Sequence, residues 1–405
     1  MNDSTLQSVV HCAARPKIRS TCPGCGGNHV NTFYFIDDVP VHSNLLQTSE
    51  QAARDFPLGS IALGFCRDCG LISNTAYNAD FRDYSPIYED QQCFSQTFNS
   101  FSENLIDFLI HKHQLENKDV IEIGCGKGDF LVRLCERGNN RGIGIDPAIV
   151  YDRVSTDKNV RFIKDYFSTQ YSHLKADAFI CRHTLEHIYD VQAFLQSVRR
   201  AIGHQDALVF FEVPDMIRVL REMAFWDIYY EHCSYFSPGS LARLFRLCHF
   251  QITDLWRGYD NQYLLIEARP TNAQFTGAHP LEESLDQLEC DVENFAADVK
   301  LKLLYWHEML QRFQQERLKV AIWGSGSKCL AFLTTLKNCR GIDCIVDINP
   351  YRHNQYIPGV GKKIVSPAAL AAYQPDVVII VNPIYRDEIE QELFAMGLEP
   401  HLFCL

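Results

Sequence analysis

The chain has no basic run, no long apolar run and no surplus of positive charge. Lysine and arginine total 38 against 50 aspartates and glutamates, a formal net charge of −12. Without a cationic stripe there is nothing to grip a phosphate backbone, so nucleic acid is not an expected partner. No segment approaches the roughly 20 consecutive apolar residues of a membrane-spanning helix. The opening residues, MNDSTLQSVVHCAARPK, have neither a basic start nor an apolar stretch of leader length. The expectation is a cytoplasmic protein with no membrane partner. With 405 residues, 46% of them hydrophobic, the chain is long enough for two or three packed domains and too apolar for extended disorder.

Cysteine, by contrast, is plentiful. Most of the 16 cysteines lie singly in apolar segments, as Cys181 and Cys248 do, which suits a reducing compartment better than a disulfide scaffold. Four stand apart. Cys22-Pro-Gly-Cys25 and Cys66-Arg-Asp-Cys69 each put two thiols across a tight turn, with Gly26 and Gly70 following. Two such turns match a closed four-thiolate zinc site, although the 40 residues between the pairs exceed the spacing of a simple zinc ribbon and imply an insertion. With no ligand position left open, the zinc is expected to be structural, holding a small N-terminal domain with little core of its own.

The stretch from Val120 through Ile123, Gly124-Cys125-Gly126-Lys-Gly128 and Asp129–Leu134 reads as buried strand, glycine turn and amphipathic helix, the first unit of a doubly wound α/β sheet. Asp146, 22 residues beyond Gly124, ends a second strand, where a carboxylate accepts hydrogen bonds from a ribose diol. Glycine turns of this kind serve NAD enzymes as well. The pattern Glu122-x-Gly124-x-Gly126-x-Gly128, however, resembles motif I of class I S-adenosylmethionine (SAM) dependent methyltransferases, which implies SAM as the cofactor. A strand at Val160–Ile163 leads to Asp165 and Tyr166, and one ending at Cys181 leads to Arg182 and His183, where this fold lines its cofactor pocket. Glu186 and His187 read as ordinary first-turn helix residues. Strands at Ala207–Val213, Gln251–Leu255 and Tyr263–Ala268, with a helix around Ser240–Cys248, complete a seven-strand plan.

After the fifth strand, Phe225-Trp226-Asp227-Ile-Tyr229-Tyr230-Glu231-His232-Cys-Ser-Tyr235 is dense in titratable and aromatic groups. It is expected above the cofactor pocket. There His232 suits a general base that removes a proton alpha to a ketone, Tyr229 a donor to the enolate oxygen, and Glu231 an orienting partner for the imidazole. A packed aromatic patch is the alternative. The order of the two cysteine pairs, Glu-Ile-Gly-x-Gly-x-Gly, Arg-His-x-Leu-Glu-His-Ile and Tyr-x-Glu-His-x-Ser-Tyr-Phe-Ser resembles the nucleotide-sugar C-methyltransferases over essentially the whole chain. That resemblance implies a TDP-linked 4-keto-deoxysugar substrate and puts the base on His232, assisted by Tyr229 and Glu231. Tyr230 departs from the family, which often has histidine there, so the substrate need not be the same. Tyr77, Tyr84 and Tyr88 are expected to pack rather than react.

Apolar residues at Leu285, Leu288, Val292, Phe295, Val299, Leu303, Trp306 and Leu310 predict one long helix over Leu281–Phe313, packed across the protein's own domains. Lys319 through Trp323, Gly324-Ser-Gly326 and later strands predict a second Rossmann-like domain, which taken alone also reads as a dehydrogenase or regulatory module. Lys328, Asn382, Tyr385 and Arg386 could touch a diphosphate, but surface or turn roles are at least as well supported, and they are placed outside the site. The division expected is a zinc-binding domain at 1–82, a class I methyltransferase domain at 83–270, a helical connector at 271–316 and a Rossmann-like domain at 317–405. The activity expected is SAM-dependent C-methylation of a keto-sugar nucleotide or similar ketone. O- or N-methylation of a small metabolite comes next, and a zinc-bearing RNA methyltransferase is disfavoured by the charge.

Overall fold

The computed structural model describes residues 18–153, 159–273, 277–337, 339 and 341–405. The start of the expected N-terminal unit, residues 1–17, lies outside the described residues. Three sheets organise the rest.

The first is antiparallel: β1 (Val30–Pro40), β2 (Leu58–Cys66) and β3 (Ile72–Asn74), with a fourth strand, β9 (Ser234–Tyr235), added at the β3 edge. Cys66 ends β2, and Cys69 lies in the turn before β3. Ile72 pairs with Tyr235 and Ser73 with Ser234. A segment from the middle of the chain is therefore stitched to the N-terminal sheet.

The second sheet has seven strands. In spatial order they are β10 (Phe250–Gly258), β11 (Tyr263–Pro270), β8 (Leu208–Pro214), β7 (Ala178–Arg182), β4 (Asp119–Ile123), β5 (Arg141–Ile145) and β6 (Val160–Ile163). β4 to β8 run parallel, and β11 is antiparallel to both neighbours. This is the class I methyltransferase arrangement of a doubly wound sheet. Central strands such as Ala178–Arg182 are buried on both faces, so they read as continuous apolar runs without alternation. Strand order reverses about β4, which opens a crevice at the carboxyl edge beside β5 and β7.

The third sheet is wholly parallel, in the order β14 (Ile364–Val365), β13 (Ile342–Val346), β12 (Val320–Trp323), β15 (Val377–Ile380) and β16 (His401–Cys404). It is the second, smaller Rossmann-like sheet.

The connector helix runs Leu285–Gln315, and the predicted apolar stripe is its buried face. Phe295 meets Tyr34 of β1 edge-on at 5.3 Å, while farther along Trp306 meets Phe332 at 5.2 Å and Phe313 meets Phe403 at 5.3 Å. One helix thus packs the N-terminal sheet and the C-terminal sheet into a common core. Burying a side chain of this size contributes roughly 1.5–3 kcal/mol, so the stripe outweighs the weak intrinsic preferences of a long polar-faced helix.

Candidate active site

A cavity of about 700 Å³ lies between the carboxyl edge of the seven-stranded sheet and the glycine turn after β12. The turn after β4 forms one wall. Gly124, Gly126 and Gly128 have φ of +71°, +55° and +86°, a region that side chains other than glycine rarely adopt. A methyl group on Gly126 would meet nothing, since that face of the turn is open to a ligand, whereas one on Gly124 would sit 2.0 Å from Thr184 Oγ1. Gly128 caps the helix Asp129–Gly138 and supports the turn without lining the cavity. Asp146 is fixed by the backbone: Gly126 N–H donates to Oδ2 at 2.9 Å and Ala148 N–H to Oδ1 at 2.6 Å. Glu122 is buried under the turn and its Oε2 has no hydrogen-bond partner among the described residues. Burial pushes its carboxyl up to about 8, opposed by the nearby Arg182. Arg182 pairs with Glu212 at 3.0 Å and lies over the Phe130 ring at 4.1 Å. Cys125 and Tyr166 also line the cavity, the latter with the Arg82 guanidinium 4.9 Å over its ring.

Asp165 departs from expectation. Its carboxylate accepts from the Tyr171 hydroxyl at 2.5 Å and from Gln170 Nε2 at 2.7 Å, and it does not line the cavity. The local turn it caps takes the carboxylate out to solvent, leaving Tyr166 as the residue of that strand end at the cavity mouth.

On the opposite wall, the backbone from Tyr229 to His232 makes a single turn, with His232 N–H donating to Tyr229 C=O at 3.2 Å. The i, i+3 pair meets as the helical reading required, in a turn instead of a helix. Tyr229 Oη and His232 Nε2 are 2.9 Å apart. His232 is buried, and burial, reinforced by the neighbouring His187, holds its imidazole well below the usual range.

Glu231 does not orient that imidazole. Its Oε1 is 2.7 Å from His42 Nδ1, and its Oε2 accepts from the Ser43 hydroxyl. Adjacent residues leave the turn in different directions, and Glu231 leaves toward the N-terminal sheet. Tyr230 also points there: its hydroxyl accepts from Asn78 N–H at 2.8 Å, and its ring sits against Gly59, where a Cβ would come within 2.5 Å. The position at which the chain departs from the sugar enzymes is therefore a packing position outside the cavity lining.

Several groups in the site were read as structural from sequence. His187 stacks edge-on against His232 at 4.8 Å, and its Nδ1 is 2.9 Å from the Tyr84 hydroxyl, so two Tyr–His pairs face each other. Glu186 is buried beside them. Lys328, Asn382 and Tyr385 line the cavity from the C-terminal sheet while Arg386 does not. Lys328 and Arg218 both bond Asp227, tying that sheet to the segment before Tyr229. The Glu-His of Arg-His-x-Leu-Glu-His-Ile was the available signal; nothing in the sequence marked His42 or Ser43.

The cysteine quartet is assembled. Cys22 and Cys69 sulfurs are 3.6 Å apart, those of Cys25 and Cys66 3.7 Å, and all four lie within 4.8 Å of one another. Four sulfurs at about 2.3 Å from one tetrahedral ion stand roughly 3.8 Å apart, so the donor set fits. Gly26 and Gly70 adopt φ of +76° and +80°, as the turns demand.

The glycine turn, the carboxylate that follows β5 and the seven-stranded topology define a SAM-dependent methyltransferase, and the comparisons agree. Residues 94–255 match a methyltransferase domain and residues 278–398 a C-methyltransferase C-terminal domain. The two matches together place a methyltransferase domain and a C-methyltransferase C-terminal domain in one chain. It is similar to the C-methyltransferase NovU of Streptomyces niveus, 25% identical over 400 residues spanning 93% of each chain. Among solved structures it is similar to the 1,6-didemethyltoxoflavin-N1-methyltransferase of Burkholderia thailandensis, at 18% identity over 44% of this chain and 82% of that one, TM-score 0.34. It is also similar to the PH0226 protein of Pyrococcus horikoshii OT3, at 18% identity over 44% and 92%, TM-score 0.35.

Gly124→Ala is expected to lower both the melting temperature and SAM affinity, because the new methyl meets Thr184 at a positive φ. Thermal melts and calorimetric SAM titration check this, and unchanged affinity would contradict the account of the turn.

Proposed function

We propose that the chain transfers the methyl group of SAM to a carbon alpha to a ketone, in a keto-deoxysugar nucleotide or a similar small molecule. The observation that carries the reading is the Tyr229–His232 pair, 2.9 Å apart, with His232 buried and both side chains facing the cavity that holds the motif I turn. Bound SAM supplies an electrophilic methyl on a sulfonium. Everything else asked of the reaction is proton management, and His232 suits it: a histidine kept neutral by burial accepts a proton. In the resting site the Tyr229 hydroxyl faces Nε2. A ketone oxygen in the cavity diverts that hydroxyl, which frees the imidazole lone pair for the alpha proton and gives the developing enolate a donor. Glu231 acts at one remove, bracing the turn through His42 and Ser43. The same base would serve a hydroxyl or an amine; the likeness to a C-methyltransferase along 93% of the chain favours carbon.

We assign the glycine turn with Glu122, Cys125, Asp146, Tyr166 and Arg182 to the cofactor, and the face bearing Lys328, Asn382 and Tyr385 to the remote part of the substrate. The chain is proposed to work as an N-terminal zinc unit, a methyltransferase unit, a helical connector and a C-terminal Rossmann-like unit that closes the cavity. No described helix is long and apolar enough to cross a membrane. Free cysteines throughout the described chain suit the cytoplasm.

His232→Asn is expected to cut turnover about 100-fold or more while SAM affinity stays within about twofold. Labelled SAM with a panel of 4-keto nucleotide sugars, read by mass, measures this. Undiminished turnover removes the base assignment.

Glu122, with its proton retained up to about pH 8 by burial, must ionise to face a cationic cofactor. SAM affinity should therefore rise with pH by up to roughly tenfold per unit below about 8 and level off above it. Calorimetry across that range would show the slope, and Glu122→Gln should abolish it.

The quartet is inferred to hold zinc. Metal analysis should find one tightly held equivalent, and its removal should cost turnover more than SAM affinity, because β3 carries the strand leading from His232. Purified, active protein without stoichiometric metal would end this reading.

A further inference from the structure

Three side chains on the wall facing the motif I turn converge in a way the proposed reaction does not require. Glu186, His187 and His232 each offer a ligand atom, and these atoms lie within 4.8 Å of one another. Glu186 is only 2% exposed, and its Oε2 is buried with no hydrogen-bond partner among the described residues. Its other oxygen has His183 Nδ1 at 3.8 Å, which leaves Oε2 unserved, and a carboxylate oxygen without a donor in such a place points to a further cation. The two imidazoles are also prepared for ligation. Tyr84 holds one nitrogen of His187 at 2.9 Å and Tyr229 one nitrogen of His232 at 2.9 Å. The remaining nitrogens, His187 Nε2 and His232 Nδ1, have no hydrogen-bond partner among the described residues. A polar group that accepts from one ring N–H and leaves the other nitrogen for a metal is how ligating histidines are usually held, and ligation through His232 Nδ1 turns Nε2–H into the donor and the Tyr229 hydroxyl into the acceptor.

We infer that Glu186, His187 and His232 form a second metal site, distinct from the cysteine quartet, that takes a late first-row divalent ion such as zinc, cobalt or nickel and inhibits methyl transfer when filled. Two imidazoles and one carboxylate suit these ions; magnesium and calcium want oxygen ligands throughout. Three protein ligands leave a coordination position open toward the cavity, so this ion exchanges where the quartet's does not. Inhibition follows because the ion holds the imidazole needed as base. That consequence rests on the His232 reading; the binding itself does not.

The test uses the full chain with its quartet filled by zinc, titrated with cobalt(II) and followed by visible absorption and calorimetry. One equivalent of cobalt should bind in addition to the quartet zinc, about tenfold or more weaker in Glu186→Gln and in His187→Ala. In turnover assays the inhibition should be relieved by a chelator and should compete with the ketone substrate, not with SAM. Absence of cobalt beyond exchange into the quartet, or binding unchanged in Glu186→Gln, would overturn the proposal. The near-isosteric glutamine keeps the test valid should His187→Ala fail to fold. Cobalt binding that Glu186→Gln weakens, together with full turnover by His232→Asn, would support the metal site while removing the base reading, so the two fail separately.

Discussion

The active site depends on a two-residue ladder. Ile72 and Ser73 of β3 pair with Tyr235 and Ser234, just after His232, and a single bridge from Phe236 to Asp215, past the end of β8, ties the same segment to the seven-stranded sheet. β3 in turn is short, and its position is set by the turn that Cys66 and Cys69 close. Two residues of strand have little cohesion of their own. A four-thiolate ion of the kind proposed for the quartet would therefore do more than stabilise a small domain: it would fix the edge to which the candidate base is attached. The N-terminal unit reaches the same turn a second time through His42 and Ser43 on Glu231. Chemistry proposed for the middle of the chain is thus aimed by its beginning.

The cavity owes its enclosure to a second constraint, the meeting of two carboxyl edges. Parallel sheets place their ligand crevices beyond the strand ends, and here the edges of two such sheets face each other. Polar contacts span the seam. Glu388 accepts from Ser95 Oγ at 2.8 Å and Thr97 Oγ1 at 2.7 Å at the start of the helix Gln96–His113, and Asn349 donates to Glu89 at 2.8 Å. Arg352, buried, reaches both Ser325 and Asn44. The contacts that cross the seam join residues more than 250 positions apart, whereas Arg352 and Ser325 lie on the same side of it, and the connector helix that packs both units carries the apolar share of holding them together.

That separation also explains what the sequence could and could not disclose. The Glu122-to-Asp146 unit was legible because its function is executed by neighbours in sequence: a turn, a strand and a carboxylate at fixed spacing. The connector helix was legible from its period alone, and its ends fell within a few residues of the observed Leu285–Gln315. The partner of Glu231 was not. Adjacency to His232 suggested a carboxylate–imidazole pair, but the true partner is His42, 189 positions away. His187 and Tyr84 share the same fate, since each looks like a helix-end or packing residue until the fold brings it against the other. Asp165 failed for a local reason instead, a Tyr171 hydroxyl six residues on that no spacing rule anticipates.

Glu231 and His232 are both shifted downward, which leaves the carboxylate charged and the imidazole neutral, and that division supports the different roles proposed for them. For Glu231, the His42 hydrogen bond and charge overcome burial and hold the carboxyl below its usual range, while the Glu231 carboxylate overcomes burial to raise His42. The pair is a charged brace, satisfied on both sides and too committed to exchange a proton with substrate. One residue on, His232 faces no carboxylate partner of its own; burial dominates and its imidazole stays neutral. Had Glu231 turned toward His232, as its position in the chain suggests, the carboxylate would have raised the imidazole toward the charged form. Sending Glu231 to His42 leaves burial to keep His232 neutral, so the feature that sequence adjacency misread is the one that sets the protonation state of the proposed base.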